Sequence, residues 1–168
     1  MLMSKSQVLD FMPHRPPFLF IDTVERVSIP PSIKENETIT SKDLVGTVVV
    51  AHFEVTDKLE ILKGHFPGNP ILPGVVQIEM MAQASAFVSL GLNGLKSDEY
   101  KVETLLLGVE SAKFRKPILP GMNLEIHAKM DKSRGTIAHY HCEIFSEKTK
   151  ISEAKILAKL DVIKKDKK

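Results

Sequence analysis

The sequence predicts an α+β fold in which a curved antiparallel sheet wraps around one long, buried helix. Residues 75–90 are apolar on nearly every face, as expected of a helix that is buried on most sides. Two runs of β-branched and aromatic residues precede this segment, and four strand-like runs follow it. Short connections join the four later runs, which favours antiparallel neighbours in one sheet.

Before the long helix, the chain alternates between short predicted elements and turns. Residues 4–11 are expected to form a short helix that stops before Pro13, because proline cannot continue it. Residues 18–27 and 45–55 are expected to be strands, since both are rich in β-branched and aromatic residues. The polar stretch 32–43 has little periodicity and is expected to be a loop or hairpin tip.

After the long helix, residues 96–103 are expected to form a charged connection that leads into the last part of the sheet. Turn-forming residues at 120–121, 132–135 and 147–150 separate the runs that follow. We expect these runs to form a meander in which each strand pairs with the next one. The four predicted strands are 104–114, 122–131, 136–145 and 151–163.

The composition is that of a globular protein. A chain of 168 residues has the length of one domain, and 43% hydrophobic with 26% charged residues is an ordinary balance. We expect a single domain over residues 1–163 and a basic, disordered tail over residues 164–168. The net charge is only +2 and the tail supplies much of the basic excess, so composition gives little support for nucleic-acid binding.

The sequence also favours a cytoplasmic location. Cys142 is the only cysteine, so no internal disulfide can form, as is common in a reducing compartment. The N-terminal residues lack the apolar core of a signal peptide. Residues 75–90 are too short for a membrane span and contain Glu79 and Gln83.

His65 is the first candidate for chemistry. It lies between Gly64 and the turn Phe66-Pro67-Gly68, where glycine allows close approach of a ligand and proline limits mobility. A histidine beside a turn is more often structural or solvated than catalytic, so position alone leaves both roles open.

Glu79 is a sharper candidate because it interrupts an apolar helical segment. Burying a carboxyl group costs free energy unless the group is hydrogen-bonded, paired or used in chemistry. Desolvation favours the protonated form, which suits a general acid. The alternative is a helix residue that reaches solvent at the edge of a dimer. Gln83, four residues later, shares the same narrow polar stripe.

Gly74 is the third candidate, since it begins the helix directly after Pro73. The first backbone N–H groups of a helix have no carbonyl partner inside it and could bind a polarised carbonyl oxygen, although every helix begins this way. Together, His65, Gly74 and Glu79 supply a base, an oxyanion donor and an acid, and no other set in the chain fits a catalytic site better.

A possible metal site is weaker. His139, His141 and Glu143 alternate along a predicted strand and therefore share one face of it. No further ligand is evident, and exposed polar strand faces are common, so no metal is predicted.

Four blocks of the sequence resemble the FabZ-type (3R)-hydroxyacyl-[acyl-carrier-protein] dehydratases. They occur in the order of that family over most of the chain, and the third block is highly specific. The blocks are PHR at 13–15, FLFID at 18–22, GHFPGNPILPGVVQIEMMAQ at 64–83 and KFRKPILPG at 113–121.

The resemblance implies a hot-dog fold, in which the helix of residues 75–90 lies inside the curved sheet. It also implies a homodimer, with trimers of dimers as a further expectation. Each active site would then join His65 of one chain to Glu79 of the other.

The reaction implied by the resemblance is loss of water from a (3R)-3-hydroxyacyl thioester carried by acyl carrier protein. His65 would remove the proton on carbon 2, Glu79 would assist departure of the hydroxyl group, and the Gly74 N–H would bind the thioester oxygen. No metal or cofactor is implied, because the phosphopantetheine arm belongs to the carrier. A glutamate at 79 resembles the FabZ type more than the isomerising FabA type, so dehydration without isomerisation is expected.

Two further groups of residues are candidates for substrate contacts. Core packing is the commoner role for such apolar residues, and a solvated surface is the commoner role for such basic ones. Basic residues beside the second proline loop would suit an acidic carrier protein. The tunnel candidates are Phe66, Ile71, Met80 and Phe87, and the docking candidates are Arg115 and Lys116.

The sequence thus predicts a dehydratase of fatty-acid or related acyl or polyene biosynthesis. A hot-dog acyl thioesterase is the main alternative and would release the carrier thiol without forming an enoyl product. A non-catalytic subunit that binds acyl carrier protein is a third reading, which the presence of His65 and Glu79 disfavours.

Overall fold

The computed structural model of the chain describes residues 1–30, 41–91 and 100–164. Its six strands form one antiparallel sheet in the order β1-β2-β4-β5-β6-β3, which confirms the predicted α+β class. The helices are α1 (Lys5–Phe11), α2 (Glu60–Gly64) and α3 (Gly74–Ala86), and a 3₁₀ turn over Phe87–Gly91 continues α3. The strands are β1 (Thr23–Ser28), β2 (Val48–Glu54), β3 (Tyr100–Phe114), β4 (Asn123–Arg134), β5 (Ile137–Ser146) and β6 (Thr149–Lys164).

One face of the sheet packs on α3. Buried residues alternate with half-exposed or exposed ones along most of β4 and β5, as expected when a strand has one covered and one solvated face. The helix contacts β2, β3, β4, β5 and β6, so the sheet must curve around it. Fully buried side chains from both layers form the core, including Met80, Met81, Ile126, Met130 and Tyr140. The predicted wrapping of a sheet around one apolar helix is confirmed.

The segment predicted as a strand over residues 18–27 is a strand only from Thr23 onwards. The reason is that Phe18 and Phe20 bond to a helix side chain instead of a neighbouring strand. The Gln83 amide accepts a hydrogen bond from Phe20 N at 2.8 Å and donates one to Phe18 O at 2.9 Å. These backbone groups are therefore satisfied without sheet pairing.

The predicted meander is correct for β4, β5 and β6 but wrong for β3. This strand pairs with β6 at the far edge of the sheet, whereas β4 lies between β2 and β5. The connection from β3 to β4 passes beneath the chain that enters α3, where Leu72 N donates to Ile118 O at 2.8 Å. Ile118 is fully buried there, so the connection belongs to the core and is not a tight hairpin.

The other predicted elements lie within a few residues of the observed ones. The stretch between β2 and α3 contains the short helix α2, which was not predicted. Parts of three predicted segments lie outside the described residues, namely 32–40 of the polar loop, 96–99 of the charged connection and 165–168 of the basic tail. Residues 100–103 of the predicted connection already belong to β3. Strand β6 reaches Lys164. Among the described helices, none has the length and apolar character needed to cross a membrane.

Candidate active site

His65 caps the C-terminus of α2, and two hydrogen bonds connect it to the loop that follows. Its Nδ1 lies 2.8 Å from the carbonyl oxygen of Ile71, and Ile71 N donates to the His65 carbonyl at 2.8 Å. Because a carbonyl oxygen can only accept, Nδ1 must carry the proton in this contact. The other ring nitrogen, Nε2, is then unprotonated in the neutral ring and can accept a proton.

Gly74 is the first residue of α3, with Pro73 as its N-cap. The N–H groups of Val76 and Gln77 bond to the Pro73 carbonyl at 3.1 and 3.2 Å. The N–H groups of Gly74 and Val75 have no acceptor within the described part of the chain, as expected for the first turn of a helix. These free N–H groups give the N-terminus of α3 a partial positive charge, and the helix begins only nine positions after His65.

Glu79 lies on α3, little more than one turn after Gly74, and its side chain is 22% exposed. Gln83 Nε2 donates a hydrogen bond to Glu79 Oε1 at 2.9 Å. His14 Nε2 lies 3.5 Å from the same oxygen. The Gln83 amide therefore connects Glu79 to the chain at Phe18 and Phe20 as well as to its own helix.

A cavity of about 270 Å³ adjoins the Glu79 carboxyl group. Its polar end contains His14, Glu79 and Gln83, and Phe18, Leu105 and Leu106 contribute an apolar wall. A carboxyl group at the end of an apolar cavity can reach a polar atom on a ligand whose remainder is aliphatic.

The structure does not bring His65 and Glu79 together within one chain. His65 contacts Ile71 and stacks on Phe66, with 4.0 Å between the ring centroids, and it does not line the Glu79 cavity. Their pairing across two chains stays a prediction.

The four predicted tunnel residues do not line the Glu79 cavity in the single chain either. Met80 and Phe87 are fully buried in the core, whereas Phe66 is exposed and Ile71 is half-buried. Phe87 stacks on Phe11 with 4.9 Å between ring centroids. Their contact with an acyl chain stays a prediction.

The predicted docking residues lie just after β3 and are exposed. Arg115 Nη2 donates to Glu153 Oε1 at 2.6 Å. The pKa of Glu153 is lowered by hydrogen bonds from Lys150 and then from Arg115. The Lys116 side chain has no partner within the described residues, so its charge is free to meet an anionic surface.

Two residues near Glu79 were not predicted as site residues. Gln83 has a sequence signal, because its spacing of four from Glu79 on a helix places the two side chains together. His14 stands in the PHR block that resembles the dehydratase family, but no spacing signal links it to Glu79, which lies 65 positions later. Only the fold brings His14 and Glu79 together.

The histidine cluster on β5 has other partners. His139 Nδ1 lies 3.0 Å from Glu110 Oε1. His141, Glu143 and Glu153 place ligand atoms within 4.8 Å of one another, but the Lys150 ammonium group bonds to both of these carboxylates. Lys150, together with Arg115 on Glu153, already supplies two positive charges beside these two carboxylates.

A larger groove, of about 470 Å³, lies on the outer face of the sheet, away from His65 and Glu79. It contains His52, Glu125 and His127. His52 Nε2 lies 2.9 Å from Glu25 Oε2, and this hydrogen bond is the main cause that lowers the pKa of Glu25. These histidine–glutamate hydrogen bonds lie on a solvated sheet face, and no residue of the His65 loop or of α3 lines the groove.

Comparison with known proteins agrees with the fold. Residues 40–155 match the model of the ApeI-like family, described as ApeI dehydratase. The chain is 34% identical over 158 residues to the 3-hydroxyacyl-[acyl-carrier-protein] dehydratase FabZ of a Wolbachia species, which covers 94% of this chain and 97% of that protein. It is also 34% identical over 143 residues to FabZ of Lactobacillus helveticus, covering 84% of this chain and 82% of that protein.

Solved structures with similar folds include dehydratases and thioesterases. The dehydratase heterocomplex ApeI:P from Xenorhabdus doucetiae has a TM-score of 0.65 at 19% identity and covers 92% of this chain and 90% of that chain. The fluoroacetyl-CoA thioesterase FlK has a TM-score of 0.56 at 11% identity and covers 70% of this chain and 87% of that chain. These two structural similarities establish the hot-dog fold. The sequence matches are to dehydratases, and they therefore decide between the dehydratase and thioesterase families. The chain belongs to the family of FabZ-type and ApeI-like dehydratases.

Proposed function

We propose that the protein removes water from (3R)-3-hydroxyacyl thioesters of acyl carrier protein and yields trans-2-enoyl thioesters. The observation that carries this proposal is the hydrogen bond from His65 Nδ1 to the Ile71 carbonyl. It leaves Nε2 as a proton acceptor in a loop whose geometry is fixed by a second, reciprocal hydrogen bond.

Three groups divide the chemistry. His65 Nε2 takes a proton from carbon 2, and that C–H electron pair forms the double bond to carbon 3. The bond from carbon 3 to oxygen breaks, and protonated Glu79 supplies the proton that turns the leaving hydroxyl group into water. Elimination of water causes no net oxidation or reduction, so the proposed reaction needs no redox cofactor.

The N-terminus of α3 would stabilise the charge that develops on the thioester oxygen. The N–H groups of Gly74 and Val75 have no acceptor within the described part of the chain. A donor that is already oriented stabilises an enolate oxygen without reorganisation during the reaction. This stabilisation makes the proton on carbon 2 easier for His65 to remove.

We further propose that the working unit is a homodimer formed through β3. This strand pairs only with β6 among the described strands and therefore has one free edge. Leu105, Leu107 and Val109 on β3 are 61%, 47% and 43% exposed, which is unusual for one strand of an unpartnered chain. Pairing of two β3 edges would cover these residues and could bring His65 of one protomer to Glu79 of the other. The larger assembly that we include in this proposal is a trimer of such dimers.

Acyl carrier protein is the proposed partner, and Lys116 with Arg115 is its proposed docking point. A cytoplasmic location stays a prediction. The Glu79 cavity has an apolar wall, which suits an aliphatic or polyene acyl chain.

The decisive experiment presents (3R)-3-hydroxyacyl-acyl carrier protein to the enzyme and follows loss of one water by mass spectrometry. The proposal predicts an enoyl product for the wild type. His65→Ala and Glu79→Gln are each expected to reduce turnover by at least about a hundredfold, because each removes one proton-transfer group. His141→Ala and Glu54→Gln are matched controls on the outer face of the sheet and should retain turnover.

The same assay separates the competing functions. Release of the carrier thiol without an enoyl product would identify a thioesterase. Binding of acyl carrier protein without any turnover would identify a non-catalytic subunit. Normal turnover by both His65→Ala and Glu79→Gln would contradict the proposed mechanism.

A further inference from the structure

Two side-chain nitrogens converge on a single oxygen of Glu79. Gln83 Nε2 donates to Oε1 at 2.9 Å, and His14 Nε2 lies 3.5 Å from that same atom. The other carboxyl oxygen, Oε2, has no hydrogen-bond partner within the described residues. His14 and Glu79 are only 25% and 22% exposed, and both line the cavity of about 270 Å³.

The His14 ring is held in place by its neighbours. Arg15 Nη1 donates to the carbonyl oxygens of Met12 and His14, each at 2.7 Å, which fixes the backbone around the histidine. The ring lies nearly parallel to Phe18, with 6.5 Å between centroids. Its Nδ1 is buried and has no hydrogen-bond partner in the described part of the chain.

These contacts select one tautomer of His14. A proton on Nδ1 would be buried without an acceptor, which is costly. A proton on Nε2 is instead carried by the nitrogen that lies 3.5 Å from Glu79 Oε1. The neutral ring with Nε2–H is therefore the form that fits its surroundings.

We propose that His14 is a positioning residue for Glu79 in the dehydration, a role that rests on the function proposed above. Because Gln83 donates to Oε1 and His14 Nε2 lies near that same oxygen, the acidic proton of Glu79 resides on Oε2. Oε2 is thus the atom that gives its proton to the leaving hydroxyl group, and the C–O bond of the substrate breaks as that proton transfers.

The distance between His14 and Glu79 indicates when the contact matters. At 3.5 Å the two atoms are farther apart than in a good hydrogen bond. When Oε2 loses its proton, the carboxylate becomes negative, and hydrogen bonds to a charged oxygen are shorter and stronger. The His14 contact therefore strengthens as the reaction proceeds, and such a contact raises turnover more than it raises substrate binding.

The test compares three replacements of His14 with the wild type in the dehydration assay. His14→Gln places an amide nitrogen near the position of Nε2, whereas His14→Asn places one near Nδ1 and cannot reach Glu79. His14→Leu removes both nitrogens and keeps an apolar side chain of similar size. His127→Leu is the matched control, because His127 also pairs with a glutamate, Glu125, but on the outer face of the sheet.

We expect His14→Leu and His14→Asn to lower kcat roughly ten- to a hundredfold with KM within about twofold of the wild type, as for loss of a hydrogen bond to a charged group. His14→Gln should recover most of the lost kcat, and His127→Leu should match the wild type. Thermal unfolding of each variant identifies any that fail to fold, and the Gln and Asn variants decide the question if His14→Leu does not fold.

Equal kcat for the Gln and Asn variants, or a loss that appears mainly in KM, would overturn the positioning role while leaving the proposed dehydration intact. Absence of dehydration by the wild type would overturn both. Recovery by Gln but not by Asn is the result that supports the role of His14.

Discussion

The ring of Phe114 lies so close to the backbone of Gly74 that a β-carbon at residue 74 would stand 2.9 Å from Phe114 Cζ. Two other ring carbons of Phe114 would lie at 3.0 and 3.2 Å. Only glycine fits beneath the ring in its present position, at the helix end where we place the oxyanion donor.

We predict that Gly74→Ala lowers kcat/KM about tenfold, because the added methyl group and the displaced ring crowd the oxyanion position. Phe114 is 49% exposed, so its ring can move and the loss of stability should be small. Steady-state kinetics of Gly74→Ala, Phe114→Ala and the double variant test this explanation. The double variant should lose less transition-state stabilisation, calculated from kcat/KM, than the two single variants lose together. Strictly additive losses would show that the Phe114 ring is not the cause.

Gln83 should be needed for stability as well as for the orientation of Glu79. Gln83→Leu leaves the N–H of buried Phe20 without its acceptor and removes a donor from Glu79. We expect a loss of about 2–3 kcal/mol in the free energy of unfolding, measured by urea denaturation.

Gln77→Leu is the matched control on the same helix. Gln77 is equally buried, but its Oε1 has no partner within the described residues and its Nε2 is 3.5 Å from Leu72 O. Because little hydrogen bonding is lost there, this replacement should be close to neutral. Equal losses for the two variants would contradict the role of Gln83 as a link between α3 and the chain at Phe18 and Phe20.

Much of the fold follows from local patterns in the sequence. A continuous apolar run after Pro73 indicates α3 and its start at Gly74, and strand-like runs between turn residues indicate β4 and β5. The position of β3 beside β6 could not be predicted in this way, since the β3–β4 connection resembles a turn in sequence. Burial of Ile118 in that connection depends on the assembled core.

The candidate site divides in the same manner. The sequence alone makes His65, Gly74 and Glu79 candidates, because each departs from its local pattern. The His14 contact could not be predicted, since it joins distant parts of the chain. The prediction that a strand begins at residue 18 was wrong for a related reason. Gln83 makes the hydrogen bonds to Phe18 and Phe20 that a neighbouring strand would otherwise make.

Docking of acyl carrier protein should depend on Lys116 and Arg115. We predict that Lys116→Glu, and more strongly the double replacement with Arg115→Glu, reduces kcat/KM for a carrier-bound substrate about tenfold at low ionic strength. The difference should shrink as salt is added, because salt screens exposed charges.

Two comparisons make the docking test specific. A short pantetheine thioester lacks the carrier protein, so its turnover should not change in these variants. Lys132→Glu makes the same change of charge at an exposed position on β4 and should not affect either substrate. Equal losses with the carrier-bound and the short substrate would contradict docking at this site.

Cys142 should make stability depend on alkaline pH. Burial raises the pKa of this thiol above its ordinary value of 9.0, and the charges of Asp131 and Glu143 raise it further. The unfolded chain then loses the thiol proton at a lower pH than the folded one. The stabilisation of the folded state by the protonated Cys142 thiol is therefore fully present below pH 9.0, and it is lost as pH rises towards the folded-state pKa.

The measurement is the free energy of unfolding of the wild type and of Cys142→Ala between about pH 8 and pH 9.5, below the range in which an unperturbed tyrosine titrates. The wild type should lose stability with a slope that approaches about 1.4 kcal/mol per pH unit at the upper end, and Cys142→Ala should show a flatter profile. Parallel profiles for the two proteins would contradict the assignment to Cys142.

The pairing of His65 with Glu79 is tested most directly by mixing two inactive variants. Protomers of His65→Ala and Glu79→Gln, carrying different affinity tags, are co-expressed and the mixed dimer is isolated by two successive affinity steps. If each site joins the two residues across protomers, the mixed dimer contains one intact site and one doubly altered site. The proposal predicts dehydration of (3R)-3-hydroxyacyl-acyl carrier protein at about half the wild-type rate per dimer, although each parent variant is inactive. A mixed dimer as inactive as its parents would contradict it.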